Sequence, residues 1–69
     1  MAESVYKVIE LVGTSEASWE EAARAAVESA SKSLKNLRIA EINKLDMRVE
    51  NGKVAAFRAR VSLSFKYES

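Results

Sequence analysis

The sequence predicts an α+β fold, a β-α-β-β unit whose three-stranded antiparallel sheet, in the order 1-3-2, packs on one helix. Three observations predict it. A β-branched segment opens the chain, an Ala-rich segment with three- and four-residue apolar steps follows, and two alternating segments then flank Asn51-Gly52. Alternation marks strands and the longer period marks a helix. A right-handed helical crossover joins parallel strands, and Asn-Gly joins antiparallel ones, so the third strand falls between the other two.

The first strand is Val5–Val12. It has Val5, Lys7, Ile9 and Leu11 on one face and Tyr6, Val8, Glu10 and Val12 on the other. Gly13–Ala17 reads as a loop, and Gly13 and Gly52 mark the two places where the chain turns. Ser18-Trp19-Glu20-Glu21 reads as a capping box, with Ser18 taking an orphan amide and Glu21 reaching back. The helix is expected to run to about Asn36, with Ala22, Ala23, Ala26, Val27, Ala30, Leu34 and Leu37 as its apolar stripe. A stripe made mostly of Ala lets the helix axis lie close to the sheet.

The second strand is Ile39–Glu50. Ala40 and Ile42 are in one apolar phase, and Leu45, Met47 and Val49 are in the other, so the pattern slips by one residue near Asn43-Lys44. A β-bulge there accounts for the slip and turns Ile39, Glu41, Lys44 and Asp46 to the side away from the helix. The third strand, Lys53–Tyr67, puts Ala55, Phe57, Ala59, Val61, Leu63, Phe65 and Tyr67 toward the helix. Its other face carries Arg58, Arg60, Ser62, Ser64 and Lys66.

The 69 residues form a single domain, 1–69. Eleven Lys and Arg against 10 Asp and Glu leave a net charge of +1, which gives no field to steer nucleic acid or an anionic membrane. There is no Cys and no His, so disulfides, thiolate chemistry, zinc-thiolate sites and the usual neutral-pH general base are excluded. No catalytic set and no metal-ligand set is legible, and the composition points away from an enzyme. No apolar run is long enough to span a membrane, and Met1–Ser4 lacks the basic start of a signal peptide, so a cytoplasmic protein is expected. A chain this short buries only about 60% of its unfolded surface and needs a disulfide, a metal or other copies of itself. With a disulfide and a structural zinc excluded by the lack of Cys and His, self-assembly remains.

The polar ladder Arg58, Arg60, Ser62, Ser64, Lys66 reads as a solvated strand face or as a platform for an anionic or heteroaromatic ligand. Lys44, Asp46, Arg48 and Glu50 alternate in sign and are placed to pair with Arg58 and Arg60 across strands. Trp19, in the first helical turn, is expected to staple the loop to the sheet or to fill a subunit contact. Gly13-Thr14-Ser15 lacks the spacing of a phosphate loop.

The run Val5–Ser15, the Ala-rich helix, Leu37–Ile42 and Phe57–Phe65 together resemble dodecin over nearly the whole chain, and Val12-Gly13-Thr14-Ser15 after a strand is the most specific part. The resemblance implies a β-α-β-β subunit assembling into a hollow homododecamer, and a protein that stores or sequesters flavin, riboflavin or FMN, without turnover. Coenzyme A is a further implied ligand, with no nucleic acid and no membrane. Carried over residue by residue, it implies a flavin contact by Ile39 on the ring, Arg58 at the ring edge, and Arg38, Lys44 and Asp46 near the ribityl or phosphate end.

Three positions depart from the flavin-binding pattern. Ile39 stands where that pattern has a stacking Trp, and Arg58 stands where it has Gln. Arg38 also stands where an acidic residue is common. Arg can donate to ring carbonyls but cannot accept from the ring N–H. Weaker or reoriented flavin binding is therefore expected. The alternative is a dodecin-like shell that is purely structural or holds divalent cations through Asp46, Glu50 or Glu41.

Overall fold

The third strand is the spine of the molecule. The structure is a computed structural model that describes residues 3–67, with the elements β1 (Tyr6–Ser15), α1 (Trp19–Ser31), β2 (Leu37–Glu50) and β3 (Lys53–Lys66). The sheet order is β1-β3-β2, and β3 is antiparallel to both neighbours, as the sequence pattern requires. Asn51 (φ 53°) and Gly52 (φ 75°) make the hairpin turn, both at the positive φ that a type I′ turn needs.

The bulge anticipated from the phase slip is present. Ile42 faces Val61 and Lys44 faces Arg60, leaving Asn43 unpaired between them. The register places Ile39, Glu41, Lys44 and Asp46 opposite Ser64, Ser62, Arg60 and Arg58, all on the face away from the helix. A second shift leaves Arg38 unpaired, and a third lies near Val49.

Three sequence expectations need correction. The helix ends at Ser31 rather than near Asn36. Ser31 and Ser33 hold it weakly, and Asn36 adopts φ 64° to turn the chain into β2, which begins at Leu37. Leu34 and Leu37 still pack on the core, but from the connection and the strand. The capping box is half made: Ser18 Oγ accepts from Glu21 N–H at 3.1 Å, while Ser18 N–H donates to Ser15 Oγ at 3.4 Å. The Glu21 carboxylate instead pairs with Arg24 one turn on. Gly13 is no turn. Strand β1 continues through Gly13 to Ser15, and a Cβ at Gly13 would overlap the carbonyl oxygen of Ala22 and stand 3.1 Å from Ala26 Cβ. Glycine is needed there because helix and strand approach that closely.

The core lies between α1 and the central strand. Ala22, Ala26 and Ala30 from the helix meet Ala59, Val61 and Leu63 from β3, with Ile9, Leu11, Ala23, Val27, Leu34 and Leu37 partly buried around them. Leu63 and Val61 are its only large side chains that are fully buried among the described residues. Trp19 closes one end. Its ring meets Phe57 edge-on at 5.1 Å and its Nε1–H donates to the Asp46 carbonyl at 2.9 Å, so the expected staple joins the helix to both strands of the hairpin.

The helix packs on β1 and β3 and scarcely reaches β2. Ile42, Leu45 and Met47 share its side of the sheet yet stay 45%, 51% and 45% exposed. The molecule is a plank of 54 × 20 × 15 Å with a radius of gyration of 14.3 Å. A compact chain of this length has about 11 Å.

Gly13→Ala is expected to lower stability by about 1–3 kcal/mol, because the added methyl meets backbone that cannot move aside. At about 4–8 °C per kcal/mol for so small a domain, a thermal melt shows a drop of several degrees or more. A melt within one degree of the original would mean that helix and strand do not approach as described.

Candidate functional site on the open sheet face

The open face is set by β-strand periodicity and by the Asn43 bulge. Reading across β1, β3 and β2, its rows are Val8-Ser64-Ile39, Glu10-Ser62-Glu41, Val12-Arg60-Lys44 and Thr14-Arg58-Asp46. One end is apolar, the middle carries two carboxylates, and the other end is rich in cations.

At the apolar end, Tyr6, Arg38, Ile39 and Ser64 line an open depression of about 460 Å³. Ile39 is 64% exposed, although it is a large apolar side chain on a sheet. Arg38 is lifted out of the ladder by its register shift and donates to its neighbour Leu37's carbonyl at 3.3 Å.

In the middle, the bulge aims Asn43 inward. Asn43 Nδ2 donates to Ser62 Oγ at 2.6 Å and to Glu10 Oε2 at 3.3 Å, tying all three strands together. Glu10 lies 3.7 Å from Arg60, and Glu41 is in no ion pair among the described residues. No group of three or more Asp, Glu, His or Cys able to hold a metal ion occurs among the described residues. A cation on this face would need oxygens from further copies or from water.

At the far end, Arg58 grips Asp46 with both arms: Nε to Oδ1 at 2.7 Å and an Nη to Oδ2 at 2.9 Å. That hydrogen bonding outweighs desolvation and, with the charges of Arg58 and then Arg60, holds the Asp46 carboxyl below the usual carboxylate range. Arg48 pairs with Glu50 at 3.0 Å near the hairpin tip. The cross-strand pairing expected from the sign alternation is therefore made by Asp46 with Arg58. Arg60 finds its carboxylate on β1.

The five residues singled out from the resemblance separate into two groups. Arg38 and Ile39 share the depression; Asp46 and Arg58 are paired with each other, and Lys44 faces Arg60 next to them. Ile39 sits opposite Ser64, six residues from Arg58 along β3, or about 20 Å at the usual strand rise. No small ring can touch both from one protomer. Tyr6, which lines the depression from β1, and Asn43, which organises the middle, were not among them. The phase slip was the available signal for Asn43, since a bulge re-aims its side chain.

The fold is a small helix-backed sheet whose other face is left as a graded apolar-to-charged surface. The chain belongs to the dodecin family: the Dodecin family model matches residues 5–68. It is 43% identical over 63 residues to the calcium dodecin of Mycobacterium tuberculosis, covering 91% of this chain and 89% of that one. The solved dodecin of Streptomyces coelicolor matches it with TM-score 0.92 and 35% identity, over 100% and 99% of the two chains. The crystal structure of the Mycobacterium tuberculosis calcium dodecin, described as having a novel calcium-binding site, matches with TM-score 0.83 and 44% identity, over 94% and 93%. No helix of the described residues is long and apolar enough to cross a membrane.

The direction of the Asp46 shift fixes a pH effect. Its folded-state pKa is depressed, so the pair's contribution is present above the unfolded carboxyl's value of about 4 and is lost as pH falls through the lower folded value. Carboxyl NMR titration should show Asp46 titrating below the ordinary carboxylate range, and Arg58→Ala should return it toward that range. An Asp46 midpoint unmoved by Arg58→Ala would dissolve the pairing.

Proposed function

We propose that the chain is the subunit of a non-enzymatic, homododecameric ligand-binding shell, and that its ligand is a divalent cation, calcium first, rather than a flavin. The observation that carries this reading is the Asp46–Arg58 fork. The guanidinium expected at a flavin ring edge already holds a carboxylate, and Ile39 offers no ring to stack on. The kinship to a protein called calcium dodecin, at 43% identity, supports calcium as the cation.

Calcium takes six to eight oxygens. Of the carboxylates considered from sequence, Asp46 is engaged by Arg58 and Glu50 by Arg48, which leaves Glu41. Glu10, which Arg60 approaches only to 3.7 Å, flanks Ser62 from the other strand, so Glu10, Glu41 and Ser62 are the donors that one copy brings. Neighbouring copies and water complete the shell of oxygens. The role is storage or buffering, since no residue of the face is set to attack, protonate or reduce a ligand.

The second reading is riboflavin or FMN in the depression at Ile39. What favours it is the depression itself, where Tyr6, Ile39 and the Arg38 guanidinium are flat or apolar surfaces suited to a ring.

Calorimetry of the assembled protein with calcium chloride, beside riboflavin fluorescence titration, decides between them. Saturable calcium binding that weakens about tenfold or more in Glu41→Gln, with riboflavin left unquenched at micromolar protein, is the expected result. Riboflavin quenching without calcium heat would replace the first reading by the second.

A further inference from the structure

The bulge in β2 puts an amide nitrogen where oxygens of two other strands converge. Asn43 lies outside the β2–β3 ladder, between the pairs Ile42–Val61 and Lys44–Arg60, so its side chain is released from the alternation of its strand. Its Nδ2 stands 2.6 Å from Ser62 Oγ on β3 and 3.3 Å from Glu10 Oε2 on β1. Arg60 comes no nearer to Glu10 than 3.7 Å, so Asn43 is the closer of the two groups that hold that carboxylate. Both oxygens belong to the Glu10-Ser62-Glu41 row, which the cation reading uses. An amide N–H2 is a neutral pair of donors. It meets the oxygens that a cation would need, without supplying a charge to them.

We propose that Asn43 is the positioning residue and gate of the cation site: it holds the Glu10 and Ser62 oxygens together while the site is empty, and its amide turns over when the site fills. The proposal rests on the cation reading and adds the residue that controls entry. The two ends of an asparagine amide are alike in shape and opposite in function, N–H2 donating and Oδ1 accepting. Its terminal torsion is broad and roughly two-fold, so half a turn exchanges the ends without moving the backbone. Amide oxygens are ordinary calcium donors, alongside carboxylates and water. Turned over, Asn43 adds an oxygen to those of Glu10, Glu41 and Ser62. Asn43 is exposed, so the turn needs no opening of the fold.

The gate also selects. Entry breaks two hydrogen bonds, and the one to the Glu10 carboxylate is of the stronger, charge-assisted kind. At equal distance from the same carboxylates, a divalent ion gains about twice the Coulomb energy of a monovalent one. Sodium therefore recovers less of that loss than calcium does.

The test uses the assembled protein with isotope-labelled asparagine. The chain has three asparagines, and Asn36 and Asn51 sit at positive-φ turns, so they serve as references for the Asn43 side-chain amide. Calcium chloride should shift the Asn43 amide resonances along the same saturation curve as the calorimetric heat, and sodium chloride at equal ionic strength should leave them in place. Asn43→Asp, which cannot donate and brings a carboxylate, should bind calcium about tenfold or more tightly than the original chain, and Asn43→Ala, which has neither end, about tenfold or more weakly. A purely structural clamp would leave the Asn43 resonances unmoved at saturating calcium. That result, or equal calcium affinity in all three proteins, would overturn the proposal and leave the cation reading standing. No calcium heat in any of the three would overturn both. If the variants fail to fold, the labelled original chain decides alone.

Discussion

One helix is too short for the sheet that it has to cover. The 13 residues of α1 span about 20 Å, while the 14 residues of β3 span about 46 Å. The Ala22–Ala26–Ala30 stripe and Gly13 let the helix settle close over β1 and β3, where it buries Val61 and Leu63. That close seat leaves the hairpin's outer strand uncovered. Ile42, Leu45 and Met47 lie exposed on the helix side, and Ile39 and Val8 on the other. Burial of such side chains is worth about 1.5–3 kcal/mol each, which is large against the few kcal/mol that so small a core supplies. The same geometry that makes the protomer marginal makes its association favourable.

The site follows from that constraint. With no second layer on the other face of the sheet, the rows of the three strands remain available, and the Asn43 bulge fixes which β2 side chains join them. The resulting gradient, from Tyr6 and Ile39 through Glu10 and Glu41 to Arg60, Arg58 and Asp46, is continuous within one protomer but too long for a single small ligand. Ligand contacts drawn from its two ends belong to one site only where different copies bring those ends together.

Much of this was legible in the residues. The sheet order came from a helical crossover followed by Asn51-Gly52, and the bulge came from an apolar phase that shifts by one residue. Trp19 as a staple came from its place in the first turn. What sequence reasoning missed depended on distances between elements. Gly13 looks like a turn residue, because nothing local shows that the Ala22 carbonyl will lie against it. The helix seemed longer, because Leu34 and Leu37 keep its spacing while packing from the connection and from β2. Cross-strand pairing with Arg58 and Arg60 was expected from the alternating signs of β2, but that Asp46 is the partner of Arg58, and takes both arms of its guanidinium, appears only in the register.

The central claim is that the protomer is incomplete alone and that identical copies cover what α1 cannot. Sedimentation equilibrium of the purified chain tests it most directly. The account predicts a closed species near twelve copies of the 7.6 kDa chain, about 91 kDa, that unfolds rather than persists when driven to single subunits. A stable, fully folded species at 7.6 kDa would contradict it.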